Sequence, residues 1–404
     1  MNQHVNHTAA DAIAIENLDV VFGQHSEKAT IRLDQGKTRQ EIIDETGLVV
    51  GVNNVSLTVK EGEICVLMGL SGSGKSSLLR AVNGLNPITR GSLKVKHGQD
   101  FVDVANCDAE TLRTLRTQRV SMVFQTFALM PWLSVLDNVA FGLEMQGMAK
   151  KERRQHAHNQ LEMVGLAEWQ NKYPHELSGG MQQRVGLARA FAMDSDILLM
   201  DEPFSALDPL IRTQLQDELL ALQKKLNKTI LFVSHDLDEA LKIGNRIAIM
   251  ESGQLIQHSR PEEIVLQPKT DYVREFVAHT NPLNVLKGRS LMKPIDELPR
   301  QEGRWQISQY HDLWLENQNG ELVIQGSASL KTVHWEQHHD ITALDKHCII
   351  LASPDIEMRD AIEIRYLTGH PVVLVEDGQL VGILSDNNFY HALLGKYNQT
   401  AKVA

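Results

Sequence analysis

Only three cysteines stand in the 404 residues, Cys65, Cys107 and Cys348, widely separated and odd in number. That pattern excludes a disulfide framework and the paired spacings of a zinc site, and it points to a reducing compartment. No window approaches the ~18 uninterrupted apolar residues of a membrane-crossing helix. The opening MNQHVNHTAADAIA has no basic stretch followed by an apolar one, so no signal peptide is expected. Positive charge is short as well. Forty Lys and Arg face 51 Asp and Glu, a formal net charge of -11, whereas a nucleic-acid partner would call for a basic surface. Low-complexity tracts and fixed-period repeats are also missing.

What is present is a core-forming chain of two or three domains, with 42% hydrophobic residues. Residues 12–22 read as a strand. Residues 24–49 are a polar insertion in which TRQEIIDETG reads as one short amphipathic helix stopped by Gly47. Residues 49–60 alternate apolar and polar like a half-buried strand. EICVLM (63–68), DILLMD (196–201) and KTILFVSH (228–235) are short, nearly continuous apolar runs, the mark of strands buried on both faces of a parallel sheet. Helical patterns fill the intervals, so the fold class is α/β. A mostly helical stretch within 126–190 interrupts the alternation and reads as a helical subdomain. Near Asn281-Pro282 the character changes. Residues 301–339 are polar with weak periodicity. Order then returns as strand, helix and the hairpin PVVLVEDGQLVGIL around Asp377-Gly378. The expected division is 1–280 and a C-terminal α+β region, 281–404.

GLSGSGKSS (69–77) fits G-x-x-x-x-G-K-[ST], comes after an apolar strand and opens a helix. Glycines let the backbone curl until its N–H groups converge, and the helix start adds its positive dipole end. Lys75 then reaches the β- and γ-phosphates, and the Ser76 hydroxyl can ligate Mg²⁺. The nucleotide-binding candidates here are Gly69, Ser71, Gly72, Ser73, Gly74, Lys75, Ser76 and Ser77. ILLMDE ends in two acids at a strand tip. Asp201 suits an Mg²⁺ held through its water shell, and Glu202 suits a proton acceptor for the water that attacks the γ-phosphate.

With these motifs the chain resembles the ATP-binding cassettes of ABC transporters over about residues 12–280. ELSGGMQQRVGLARA (176–190) is similar to the signature segment, FSALD (204–208) to the D-loop, Gln125 in MVFQTFALMPW to the Q-loop glutamine, and His235 in FVSHD to the switch histidine. The resemblance implies a P-loop fold of ABC type, with antiparallel β and helical subdomains, working as a head-to-tail homodimer. In such a dimer Leu177, Ser178, Gly179, Gly180 and Gln182 of one chain close on the ATP of the other, next to Ser205, Ala206, Leu207 and Asp208. Gln125 joins Ser76 and Asp201 around Mg²⁺, and His235 steadies Glu202 and the water. Phe22 resembles the aromatic that stacks on adenine, with core packing as the alternative.

Finer resemblance is to the ATPases of glycine betaine and choline importers, with NPLNVL (281–286) similar to the choline branch. It implies a partner permease and a solute-binding protein, at the cytoplasmic face of the inner membrane. Carnitine or proline betaine is the alternative cargo, and a non-transport ABC ATPase the alternative class. Residues 340–396 resemble a CBS module, with Asn388 where nucleotide-binding modules carry Asp. Dimer contact and sensing of ionic strength are the open alternatives for that region.

Overall fold

The computed structural model describes residues 10–393 except 206, 279, 282, 284, 309–311, 319–320, 327–329, 337–340, 342–343 and 345. They fall into two compact units, Met1–Arg260 and Pro261–Ala404. The first runs β1 (Asp11–Phe22), α1 (Glu27–Asp34), α2 (Arg39–Thr46), β2 (Val49–Lys60), β3 (Ile64–Met68), α3 (Lys75–Val82), β4 (Arg90–His97) and β5 (Asp100–Asp103). It continues with α4 (Ala109–Gln118), β6 (Val120–Val123), α5 (Val135–Met145), α6 (Lys150–Met163), α7 (Gly179–Ala192) and β7 (Ile197–Asp201). α8 (Pro209–Leu226), β8 (Thr229–Val233), α9 (Leu237–Ile243), β9 (Arg246–Glu251) and β10 (Gln254–Ser259) complete it.

The three apolar runs are β3, β7 and β8, each buried at every position. They lie in one sheet of order β10-β9-β3-β8-β7-β6, parallel except for the β9–β10 hairpin. A second, antiparallel sheet, β2-β1-β4-β5, packs on it through one continuous core that includes Ile13, Val55, Leu67, Leu78 and Leu231. α5, α6 and α7 form their own core around Val139, Leu161 and Val185, which is the helical subdomain.

The polar insertion holds two helices rather than the one expected. α2 is the expected helix. Thr38 caps it in a reciprocal capping box with Glu41, and Gly47 ends it. α1 was hidden because Ala29 is its one buried residue, too little apolar periodicity to read. Both helices close on a small core of Val21, Ala29, Ile42, Leu48 and Val50. Arg90 ties this piece to the sheet, donating to the buried Asp19 at 2.6 Å and to Asp34 at 2.8 Å.

In the second unit, helix Pro261–Leu266 packs with the C-terminal residues, and helix Asp271–Val277 packs on it. Leu266 and Leu283 lie against the C-terminal core, and Ser290 donates to Glu262 at 2.8 Å. Residues 261–280, expected within the first domain, therefore belong to the second unit. Its central sheet combines the parallel strands Lys331–His334, Cys348–Ala352 and Val372–Glu376 with antiparallel Gln379–Leu384. The hairpin turns at Asp377-Gly378 with φ of +51° and +76°, as its sequence requires. Residues 301–339, expected to be weakly ordered, instead supply the antiparallel strands Arg304–Ser308, Leu313–Gln318 and Glu321–Gln325. Ile307, Leu313 and Leu315 face a core shared with Ile349 and Val373. Runs this short hold only two or three apolar positions apiece, too few to set a period. No helix among the described residues is long and apolar enough to cross a membrane.

Ile42 is the centre of the insertion's small core. Ile42→Ala should cost about 3 kcal/mol locally. Hydrogen exchange should show α1 and α2 losing protection while β3 and β7 keep theirs; unchanged protection in α2 would show that this core does not hold the insertion.

Candidate functional site

β3, β8 and β7 run in the same direction, with Leu67 and Asp201 both level with Val233. The loops that leave their carboxyl ends, at Gly69, Ser234 and Glu202, therefore emerge side by side. Open parallel sheets place their binding crevices along such an edge.

The loop after β3 curls back on itself. Gly69 has φ +142° and Gly74 φ +100°. A Cβ on either would stand 2.1 Å from the Met250 carbonyl oxygen or 2.2 Å from that of Gly51, so only glycine fits both the dihedral and the space. Lys75 opens α3 and is 5% exposed. Its Nζ donates to the carbonyls of Gly69 at 2.8 Å and Leu70 at 3.1 Å. Burial pulls its pKa down, and the charges of Glu202 and Asp201 push it back up. Ser73 is buried with its Oγ unpartnered among the described residues. Ser77 lies beside Gly51, over which the half-buried Phe22 ring also packs.

Asp201, 1% exposed, accepts from Ser76 Oγ at 2.7 Å and from Arg80 Nη2 at 2.9 Å. Ser76 and Arg80 are four residues apart on α3, hence on one face; that spacing was the signal for Arg80, which sequence reasoning missed. Glu202 turns away from its neighbour. Its φ is +46°, a left-handed conformation that bulky residues avoid and that clusters at functional sites. Its side chain is 19% exposed. Glu202 Oε2 accepts from Gln125 Nε2 at 3.3 Å and lies 3.1 Å from His235 Nδ1. Lys75, Ser76, Gln125, Asp201, Glu202 and His235 thus converge.

The signature residues form a separate arrangement. Ser178 caps α7 by accepting from the Met181 N–H, and Gly179 is exposed in the first turn. Leu177 is buried, and Gln182 Nε2 donates to the carbonyls of Pro174 and Leu177. Gly180 faces Leu207 and Ile211. No hydrogen bond joins these residues to the Lys75 loop among the described residues. In the next loop Ser205 donates to the Glu202 carbonyl at 3.0 Å, and Asp208 precedes α8. Ala206 lies outside the described residues.

Sequence reasoning also missed what stands behind His235. Arg212 donates to the Leu207 carbonyl and to Asp236 Oδ2. Glu239, buried on α9, accepts from Ser234 Oγ at 2.5 Å and from Gln216 Nε2 at 3.0 Å. These contacts brace the two residues that flank His235. Burial is the main cause raising the Glu239 pKa. The hydrogen bonds from Ser234 and Gln216, together with the Arg212 charge, oppose it, and the Asp236 charge adds to it. A carboxyl whose pKa rises on folding destabilises the native state as pH climbs from its unfolded pKa through its folded one. Glu239→Gln stays neutral; its amide oxygen can accept from Gln216 Nε2, and its NH2 can donate to Ser234 Oγ, whose proton turns to the Asp236 carbonyl. Its thermal stability relative to wild type should therefore improve between pH 4.5 and pH 8. A difference that stays flat across that range would show that burial does not disfavour the ionised form.

Comparison with known proteins points the same way. A family model described as ABC transporter matches residues 52–205. The chain is 50% identical over 281 residues to the glycine betaine/proline betaine transport system ATP-binding protein ProV of Escherichia coli, covering 70% of this chain and 69% of that protein. It is 41% identical over 396 residues to the glycine betaine/carnitine transport ATP-binding protein GbuA of Listeria monocytogenes, covering 95% and 98%. A solved dimeric ATP-binding cassette in a post-hydrolysis state, bound to ADP and Pi, matches with a TM-score of 0.52 and 30% identity over 62% of this chain and 98% of that one. The crevice at the strand ends and these likenesses lead to one assignment: the chain belongs to the ATP-binding subunits of ABC transporters, in the group of the glycine betaine and proline betaine import systems.

Proposed function

We propose that two copies of this chain bind ATP head to tail and hydrolyse it to drive a membrane permease that imports a quaternary ammonium compound. The observation that carries the reading is the convergence on Glu202 of His235 and Gln125, one residue from the Ser76–Asp201 pair. In this reading the N–H groups of residues 69–77 and the start of α3 cradle the phosphates, and Lys75 meets their charge. Glu202 accepts the proton of the attacking water, which His235 helps to hold in line. Phe22 borders the adenine. Leu177, Ser178, Gly179, Gly180 and Gln182 of the partner, with the 205–208 loop, close the far side of the triphosphate. The first turn of the 14-residue α7 adds dipole charge there.

Mg²⁺ fits the donors present. Ser76 and Asp201 bring two hard oxygens to 2.7 Å of each other, and Gln125 adds an amide oxygen. When bound, the ion supplies positive charge to the phosphate oxygens. Ser76, Asp201 and Gln125 would hold it.

The cargo is read from the relatives that match at 41–50% identity over two thirds or more of both chains, whose named solutes are glycine betaine, proline betaine, carnitine and trimethylamine N-oxide. All four carry a polyalkylated, positively polarised nitrogen. Similarity of NPLNVL to the choline branch supports choline within that class, although Pro282 and Asn284 lie outside the described residues. A separate solute-binding protein would recognise the cation on aromatic faces, and the ATPase would sit at the cytoplasmic face of the inner membrane against the permease. The C-terminal unit is read as regulatory. Asn388, where a CBS-type module would present Asp, accepts from Ser385 N and Oγ and donates to the Leu291 carbonyl. Its side chain is used in holding the fold, which favours dimer contact or sensing of ionic strength over nucleotide binding.

Glu202→Gln should retain ATP binding, lower turnover by about 10²–10⁴ and accumulate a nucleotide-bound dimer in size-exclusion chromatography. Normal turnover in that variant would remove Glu202 as the base. With its permease and binding protein in liposomes, the chain should drive ATP-dependent uptake of radiolabelled choline or glycine betaine. A system that hydrolyses ATP yet accumulates neither these nor carnitine and proline betaine would overturn the cargo class.

A further inference from the structure

Among the described residues, one hydrogen bond joins the helical insertion between β1 and β2 to the phosphate loop. Arg39, the first residue of α2, donates from Nη1 to the Gly72 carbonyl at 2.9 Å. α2 is in no position to drift. Thr38 and Glu41 lock its start. Ile42 is buried in the insertion's core, and Glu45 accepts from both Arg32 and Lys37 at 2.8 Å. Arg39 pairs with no carboxylate among the described residues, and its Nε is buried without a partner. Its charge is therefore left uncompensated beside the loop.

Three other carbonyls of that loop are held as well. Lys75 takes those of Gly69 and Leu70 from within, and the Gly253 N–H takes that of Ser73 at 3.0 Å. Because the peptide unit is planar, fixing each carbonyl fixes the direction of the next N–H. Anchoring residues 69, 70, 72 and 73 thus presets the donors that would meet phosphate, which lowers the ordering cost of binding.

We propose that Arg39 is a positioning residue for nucleotide, pinning the phosphate loop from outside and so making the insertion part of the ATP-binding machinery. This rests on the reading of the 69–77 loop as the ATP cradle. Arg39 contributes to affinity and takes no part in the bond-breaking step. The signature is a split between the two kinetic constants.

In the full-length chain, Arg39→Ala should raise the KM for ATP about ten-fold, the effect of losing one charge-assisted hydrogen bond, with kcat changed by less than about two-fold. Arg39→Lys keeps a donor and the charge, and should bring KM back most of the way. A KM unchanged in Arg39→Ala, or raised equally in Arg39→Ala and Arg39→Lys, overturns the proposal. Arg39→Gln, which keeps a donor without charge, serves if the alanine variant does not fold. Its KM should rise about three-fold or more, and an unaltered KM counts against the role. Lys75→Ala distinguishes failure of the Arg39 role from failure of the cradle. Loss of ATP binding there with an unaffected Arg39→Ala sinks only the Arg39 role. Intact binding in Lys75→Ala removes the cradle and the Arg39 role together.

Discussion

Leu67, Val233 and Asp201 stand level across three adjacent parallel strands, and everything proposed for this chain depends on that register. A strand rises ~3.3 Å per residue, and a slip of one residue sends every side chain to the opposite face. Either change would break a Ser76–Asp201 contact of 2.7 Å. All fifteen residues of β3, β7 and β8 are buried, so packing on both faces of the sheet helps to hold the strands in place. Three loops that share no sequence neighbourhood are thereby delivered to one edge. The loops can then carry residues chosen for chemistry, because the strands have already fixed where they emerge.

How much of this was legible depends on how local each feature is. The three strands announced themselves as apolar runs, and the phosphate loop as a spacing of glycines and lysine, because burial and φ act on single residues in sequence. The α2 cap, Thr38 with Glu41, was likewise local. Contacts between distant segments were not. Nothing near Arg39 in the sequence points to Gly72, 33 residues on, and nothing near Arg212 points to Asp236. α1 escaped because one alanine is its only fully buried residue. The strands between 304 and 325 escaped because their apolar partners, Ile349 and Val373, come from a different stretch of chain. The Asn281-Pro282 boundary failed to foresee that Leu266 belongs to the C-terminal core. A turn-forming pair marks a break in chain direction, and packing decides the domain.

The two neighbouring carboxylates show why adjacent residues can serve different ends. Asp201 is the last residue of β7, buried, and gripped by Ser76 and Arg80 at 2.7 and 2.9 Å. Glu202 has left the strand with a left-handed φ, which costs about 1–3 kcal/mol and swings it to the open side. Its partners are held at 3.1 and 3.3 Å, and His235 is 58% exposed. Charge-assisted contacts of full strength are shorter than this. The loop that would bind phosphate is anchored at the carbonyls of residues 69, 70, 72 and 73 and the metal-side carboxylate is locked, while the group that would move a proton is loosely held. On the proposed reading, an enzyme completed by a second copy of itself would need that inequality. A rigid cradle would let ATP bind to a single chain, and a slack base would keep the water unreactive until the partner's Ser178 helix start closed the site.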